Sequence, residues 1–145
     1  MLKNTKTAYG WVSILLHWIM ALTIIGLFGL GLYMVELTYY DAWYKGSLDL
    51  HKSIGILLFC LLCLRTLWRC LNINPDSADK NASQFELKAS HFVHLALYLL
   101  MFTIMISGYL ISTADGRSIP VFNWFSVPGF GSFVEDQEDI AGFIH

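Results

Sequence analysis

The sequence predicts an all-α membrane protein, and this prediction rests on the composition and on the spacing of the charges. Charged residues make up 14% and hydrophobic residues 56% of the 145-residue chain, whereas soluble domains usually carry about 25% charged residues. Three runs hold very few charges, and as helices rising about 1.5 Å per residue each would cross a hydrocarbon layer about 30 Å thick. The length favours one transmembrane domain, 1–145. The net charge of −2 argues against a nucleic-acid partner.

The first apolar run predicts a helix over about 10–36. No charge lies between Lys6 and Glu36, and the run is too long for the apolar part of a signal peptide, so we expect a retained membrane helix. His17 lies about two turns inside this helix. An ionisable side chain at membrane depth is costly, which makes His17 a functional candidate.

The second run predicts a helix over about 51–71 with a histidine at one end and arginines at the other. His51 and Arg65 are fourteen positions apart, close to four helical turns, so they share one face at opposite ends of the helix. Arg69 continues that face by one turn, and Lys52 follows His51 directly. These residues either serve a common site or simply anchor the helix at the two membrane interfaces.

The third run predicts a helix over about 88–113, after an exposed polar loop at 72–88. His91 and His94 lie near its start. A longer connection then leads to the start of a fourth helix at 139–145, which carries His145. This connection holds aromatic side chains typical of the membrane–water interface, namely Phe122, Trp124, Phe125, Phe130 and Phe133.

The basic residues predict an orientation in the membrane, because cytoplasmic loops carry an excess of lysine and arginine. On the side of the amino terminus lie Lys3, Lys6, Arg65, Arg69, Lys80 and Lys88. On the other side lie only Lys45, Lys52 and Arg117. We therefore expect the amino terminus to lie in the cytoplasm.

The five histidines fit haem better than zinc. A haem iron needs two imidazoles at one depth on different helices, whereas zinc prefers four ligands, with cysteine or carboxylate help. Depth alone leaves two pairs open, His51 with His145 and His17 with either His91 or His94. Haem propionates need cations or donors at the membrane rim, which Arg65, Arg69, Lys52 and Arg117 could supply. No CxxCH motif occurs, so covalent attachment is not indicated.

Several stretches together resemble the prokaryotic cytochrome b561 family of di-haem, four-helix membrane proteins. The stretches are YGWVSILLHW around His17, ELTYYDAWYKGSLDLHKSIGILL around His51, HLALYLL around His94, SGYLISTADGRSIPVF, and DIAGFIH at His145. They cover nearly the whole chain. The resemblance implies a transmembrane four-helix bundle, of which this chain has three complete helices and only the start of the fourth.

The resemblance also implies a ligand set. His51 and His145 match the two ligands of the periplasmic haem, and His17 matches one ligand of the cytoplasmic haem. The partner of His17 would lie further along the fourth helix, beyond His145, so this chain is expected to hold one haem b or fewer instead of two. Family members do not use a third-helix histidine as an axial ligand, and His94 would instead line the haem or quinone region.

The implied activity is electron transfer between haem and ubiquinone in a respiratory or oxidative-stress chain. One activity of the family is superoxide oxidation coupled to quinone reduction, and no acid–base or nucleophile constellation is required. Membrane lipid, quinone and a redox partner protein are the expected partners. The alternatives are the cytochrome b subunit of a hydrogenase or dehydrogenase, a truncated remnant or scaffold without haem, and a metal transporter that uses the histidines.

Overall fold

A computed structural model describes residues 1–76 and 83–145. The elements in order are α1 (Trp11–Val35), α2 (Tyr44–Leu71), α3 (Gln84–Thr113), β1 (Ile119–Val121), β2 (Phe125–Val127) and α4 (Gln137–Ile144). The first three helices are long and apolar enough to span a membrane, with mean hydropathies of 2.1, 1.9 and 2.0 over an 18-residue stretch of each. The predicted all-α membrane bundle is therefore confirmed.

The α1 and α2 helices pack side by side in antiparallel directions. Near one end the Trp68 indole donates to the Ser13 hydroxyl at 3.0 Å, and further along α1 Gly31 lies against the His51 ring. Between these contacts a small apolar core forms around Met20, Leu58 and Leu62, which are at most 4% exposed. Most other side chains of α1 and α3 remain exposed, as expected where lipid replaces protein as the surrounding medium.

The second and third helices begin earlier than the sequence predicts. The α2 helix begins at Tyr44, not near residue 51, so His51 lies two turns inside the helix and not at its start. Its first turns carry Lys45 and Asp49, and such polar turns give no hydropathy signal although water at the interface can solvate them. The α3 helix begins at Gln84 after a capping box, in which Ser83 accepts from the Glu86 N–H and Glu86 accepts from the Ser83 N–H.

The predicted polar loop at 72–88 lies partly outside the described residues. Lys80, which contributes to the predicted orientation, is among residues 77–82 and is not described. On the near side of the gap, the amino-terminal tail contacts the exit of α2. The Asn4 amide donates to the Ile73 carbonyl at 3.0 Å, and the Asp76 N–H donates to the Lys6 carbonyl at 2.8 Å.

The connection after α3 contains an antiparallel β-hairpin that the sequence analysis did not predict. Its strands pair Ile119 with Val127 and Val121 with Phe125. The turn places Phe122 and Asn123 at φ 47° and 60°, the combination of a type I′ turn. The Ser53 hydroxyl on α2 docks this hairpin, because it donates to the Pro120 carbonyl at 3.3 Å and accepts from the Phe122 N–H at 3.2 Å.

The α4 helix begins at Gln137, two residues before the predicted start, and packs on α3. Gln137 is 4% exposed. Its amide donates to the Leu110 carbonyl at 3.0 Å, and its oxygen accepts from the Phe133 N–H at 2.8 Å. His145 follows the last helical residue, and its N–H donates to the Ala141 carbonyl at 2.9 Å. Gln137 thus ties the beginning of α4 to α3, and His145 follows two turns later.

Candidate functional site

Two histidines from different helices face each other at the hairpin end of the bundle, where β1 and β2 dock on α2. The ring centroids of His51 and His145 lie 6.1 Å apart, with an angle of 74° between the ring planes. Among residues 1–76 and 83–145, this is the one pair of histidines whose rings approach each other closely. The α1–α2 pairing positions His51, and the α3–α4 pairing positions His145.

The hydrogen bonds of His145 determine which of its ring nitrogens is free. Nδ1 lies 2.8 Å from the Ile104 carbonyl and 3.2 Å from the Ser107 hydroxyl oxygen. A carbonyl oxygen only accepts, so Nδ1 must carry the proton. Nε2 of the neutral ring then keeps its lone pair, which is the form that binds a metal. His145 is therefore held in the tautomer of a metal ligand.

The His51 ring is half-buried, and its Nδ1 is buried without a hydrogen-bond partner among the described residues. A buried polar atom without a partner is costly. On α1, Gly31 lies next to this ring, and a Cβ there would be in ordinary van der Waals contact with it, 3.7 Å from Cε1 of His51. The ring is thus enclosed by α1 and α2 but has an unused polar atom.

The spacing of the two rings suits a metal shared between them. With metal–nitrogen bonds of about 2.0–2.1 Å, two imidazoles that bound one metal from opposite sides would have ring centroids roughly 6 Å apart. The observed separation is 6.1 Å. The described residues contain no group of three or more histidine, cysteine or acidic side chains that could hold a metal ion. By their separation, His51 and His145 could share one metal, as the two ligands of a b-type haem would, and no cluster of the size that a four-ligand zinc site needs occurs among the described residues.

The other predicted ligand, His17, lies at the opposite end of the α1–α2 pair. Its Nδ1 accepts from the Arg65 guanidinium at 3.1 Å, and the second amino group of Arg65 lies 3.9 Å from the sulfur of Met20. Because Nδ1 accepts a hydrogen bond here, the neutral ring carries its proton on Nε2. Ligation through Nε2 would thus require Arg65 to release His17, and the guanidinium would then be free for an anionic group.

Arg69 and Tyr98 form a second polar pair near this end. The Arg69 guanidinium lies over the Tyr98 ring, 5.4 Å from its centroid, in a cation–π arrangement. The Tyr98 hydroxyl is buried and has no partner among the described residues. Together with Arg65, these side chains place two cations and one free donor between α1, α2 and α3.

The remaining candidates from the sequence lie apart from these pairs. The Nδ1 atoms of His91 and His94 bond the carbonyls of Leu87 and Ser90 on their own helix, both at 2.7 Å. Their rings do not pair with His17 in the described structure, so the alternative of a His17 pair with either of them gains no support. Lys52 is half-buried beside His51.

Arg117 pairs locally and does not reach the histidines. Its guanidinium donates to the Asp115 carboxylate in an exposed ion pair, and the Arg117 N–H donates to the same carboxylate at 3.0 Å. These hydrogen bonds, and the charge of Arg117, lower the pKa of Asp115 below its usual value. The Arg117 guanidinium is therefore paired with Asp115 within the loop.

Sequence reasoning missed the residues that support the His145 ring. Gly108 lies directly against it, since a Cβ there would come 2.8 Å from Cε1. The Ser107 hydroxyl donates to the Ile104 carbonyl at 2.7 Å and lies beside Nδ1 of His145. These contacts join residues about forty positions apart, so only a small-residue Ser-Gly pair inside an apolar run could have indicated them.

Comparisons with known proteins identify the family of this chain. Residues 8–145 match the family model described as prokaryotic cytochrome b561. The chain is 49% identical over 142 residues to cytochrome b561 homolog 2 of Escherichia coli (strain K12), an alignment that covers 98% of this chain and 75% of that relative. With three candidate membrane helices, these matches indicate a multi-pass bacterial membrane protein that acts as a b-type cytochrome in electron transfer. The resemblance seen in the sequence is confirmed, and the chain belongs to the prokaryotic cytochrome b561 family.

Proposed function

We propose that His51 and His145 hold one haem b as its axial ligands, and that the protein transfers electrons between this haem and a membrane quinone. The observation that supports the proposal is the 6.1 Å separation of the two rings, together with the bond that keeps the proton of His145 on Nδ1. When bound, the haem supplies a one-electron carrier inside the membrane. The residues of the chain bind it, orient it and shield it from water.

The proposal assigns a role to each neighbouring group. The Ile104 carbonyl fixes the tautomer of His145 and makes its Nε2 a stronger donor to the iron. Gly31 packs α1 against the His51 ring, and the unpaired Nδ1 of His51 is available to an acceptor that comes with the cofactor or with water. Lys52 would offer a cation to a carboxylate at this end of the bundle.

A second haem would lie at the opposite end, with His17 as one ligand. Arg65 and Arg69 would then pair with its propionates, and His94 would line the adjacent quinone region. Binding through Nε2 of His17 would release Arg65 from its 3.1 Å contact with Nδ1 and free the guanidinium for a propionate, and Arg69 lies near the same end over Tyr98. The number of haems in the complete protein follows from whether a further ligand opposes His17. We also propose a bacterial inner-membrane location with the amino terminus in the cytoplasm.

Ligand substitutions in the full protein test the assignment. We expect His51→Ala and His145→Ala each to remove one haem per chain, measured as pyridine haemochrome on protein purified from membranes. His91→Ala is the matched control, because His91 is exposed and bonds only its own helix. Wild-type haem content in both ligand variants would overturn the proposal.

The quinone and the electron donor need a separate measurement. We expect a ubiquinol analogue to reduce the purified protein, with loss of this reaction in His145→Ala. For superoxide as donor, two superoxide ions would give two O₂ while one quinone takes up two electrons and two protons. Quinone reduction under a superoxide source, in excess of that seen in His145→Ala, would support this pair of substrates. Its absence, with an intact haem spectrum, would instead favour electron delivery by a partner protein.

A further inference from the structure

We propose that α3, which supplies no axial ligand, positions one: Ser107 and Gly108 form a seat that fixes the orientation of the His145 ring. The inference rests on the proposed role of His145 as a haem ligand. It assigns two positioning residues to α3, a helix that contributes none of the proposed axial ligands. The seat acts on both the location of the ring and the direction of its Nε2 lone pair.

Close contact is the first part of the argument. A Cβ at position 108 would lie 2.8 Å from Cε1, 3.1 Å from Nδ1 and 3.6 Å from Nε2 of His145. Carbon atoms in contact normally stay about 3.5–4.0 Å apart. The Cε1 and Nδ1 atoms of the imidazole thus lie against the α3 backbone at a distance that only glycine permits. Any other residue at position 108 must push the ring away from α3 or tilt it.

The hydrogen bonds fix the remaining freedom of the ring. The Ser107 O–H donates to the Ile104 carbonyl at 2.7 Å, so its oxygen is left to accept from the Nδ1–H of His145 at 3.2 Å. The same N–H also donates to Ile104 at 2.8 Å. Ser107 is 4% exposed, so its hydroxyl is shielded from water. A ring held by two acceptors on one edge cannot rotate freely about its Cβ–Cγ bond.

The contacts at the start of α4 limit how far this helix can move when a Cβ is added at Gly108. Gln137 is buried and bonded to both Leu110 and Phe133, so α4 is tied to α3 two turns before His145. A sliding or tilting of α4 that accommodated a new Cβ would disturb these bonds. We therefore expect a substitution at Gly108 to move the His145 ring rather than the helix.

The first test replaces Gly108 by alanine in the full protein. We expect Gly108→Ala to lower the affinity for haem by about 10- to 100-fold, the usual effect of disturbing the groups that orient a metal ligand. The low-spin electron paramagnetic resonance signal of the remaining haem should change, because that signal reports the relative orientation of the axial rings. Gly26→Ala is the control: Gly26 is also helical, and a Cβ there meets nothing within 4 Å. Equal haem affinity and identical signals in both variants would overturn the inference.

The second test separates positioning from folding. Ser107→Ala removes one of the two acceptors of the Nδ1–H but adds no bulk, so the helices should still pack. We expect it to shift the midpoint potential of the haem, and Ser107→Thr, which retains the hydroxyl, to restore it. An unshifted potential in Ser107→Ala would overturn the role of Ser107. A shift that threonine fails to reverse would show that the hydroxyl is not the cause, which also overturns it.

Failure of this inference differs from failure of the proposed function. If His145→Ala retains all haem, then His145 is not a ligand and both fail. If His145→Ala loses haem while Gly108→Ala and Ser107→Ala both behave as wild type, then only the seat on α3 is wrong.

Discussion

Removal of the Ser53 hydroxyl should release the β-hairpin from α2. Ser53 is 3% exposed, and its hydroxyl is the group that donates to Pro120 and accepts from the Phe122 N–H. Each such bond contributes about 1 kcal/mol net. The turn adds to this sensitivity, because Phe122 has a positive φ of 47°, a conformation that costs a residue with a Cβ about 1–2 kcal/mol.

The expected loss in Ser53→Ala is therefore about 2 kcal/mol, from two bonds of about 1 kcal/mol each. Since every 1.4 kcal/mol is a factor of ten, the detached hairpin should become about 30-fold more populated. Hydrogen–deuterium exchange of peptides that cover residues 119–127 measures this population directly. We expect exchange there to accelerate while the core of α2 around Leu58 and Leu62 remains protected.

A matched hydroxyl deletion provides the control. Thr103 is exposed, and its hydroxyl bonds only the Leu99 carbonyl of its own helix at 2.8 Å. Thr103→Ala should leave exchange of the hairpin unchanged. The reasoning would be refuted if Ser53→Ala exchanged like wild type at residues 119–127, since the two hydrogen bonds would then contribute nothing to docking.

Three further predictions concern the ends of the bundle. Reporters fused after Asp76 and after Arg117 should read cytoplasmic and periplasmic respectively, and the reverse pattern would contradict the orientation proposed from the basic residues. Arg65→Leu should make the midpoint potential of a haem beside His17 more negative, because a nearby cation favours the reduced state; Arg65→Lys should shift it less, and an unchanged redox titration would mean that Arg65 only anchors α2. Arg117→Gln should raise the pKa of Asp115 toward its usual value in a carboxyl NMR titration, because hydrogen bonds from Arg117 hold it low. The interaction between ionised Asp115 and Arg117 is accordingly fully present above the usual pKa of Asp115, and it is lost as the pH falls through the lowered pKa. A pKa of Asp115 that does not change in Arg117→Gln would refute the pairing.

The membrane helices could be predicted from the sequence because lipid imposes one rule along their whole length. Long stretches without charge have few alternatives to a spanning helix. The same rule explains the errors at the helix starts. The turns from Tyr44 to Leu50 lie where water begins, so hydropathy no longer reports on helix there. The start of α3 could have been predicted from the capping box at Ser83 and Glu86, since serine followed three residues later by glutamate is a helix-start signal.

The hairpin and the surroundings of His145 could not be predicted in this way. A type I′ turn is normally indicated by the sequence Asn-Gly or Gly-Gly, whereas here Phe122 occupies the first left-handed position. The contact between Gly108 and His145 depends on how α4 docks against α3, and Gln137 sets this docking through bonds to atoms of the backbone. Every residue offers the same backbone groups, so the sequence alone does not indicate which of them Gln137 bonds.

The pairing of α1 with α2 has a consequence for how the protein tolerates change. His17 meets Arg65 near one end, and Gly31 meets His51 near the other. On each helix the two positions are fourteen residues apart, which corresponds to about 21 Å along the axis. The two contacts thus lie the same distance apart on both helices. A single residue inserted between His17 and Gly31 would rotate one end of α1 by about 100° relative to the other. Either the Arg65 contact or the His51 contact must then be lost, so length changes in this segment should be rejected by selection even where the inserted residue is apolar.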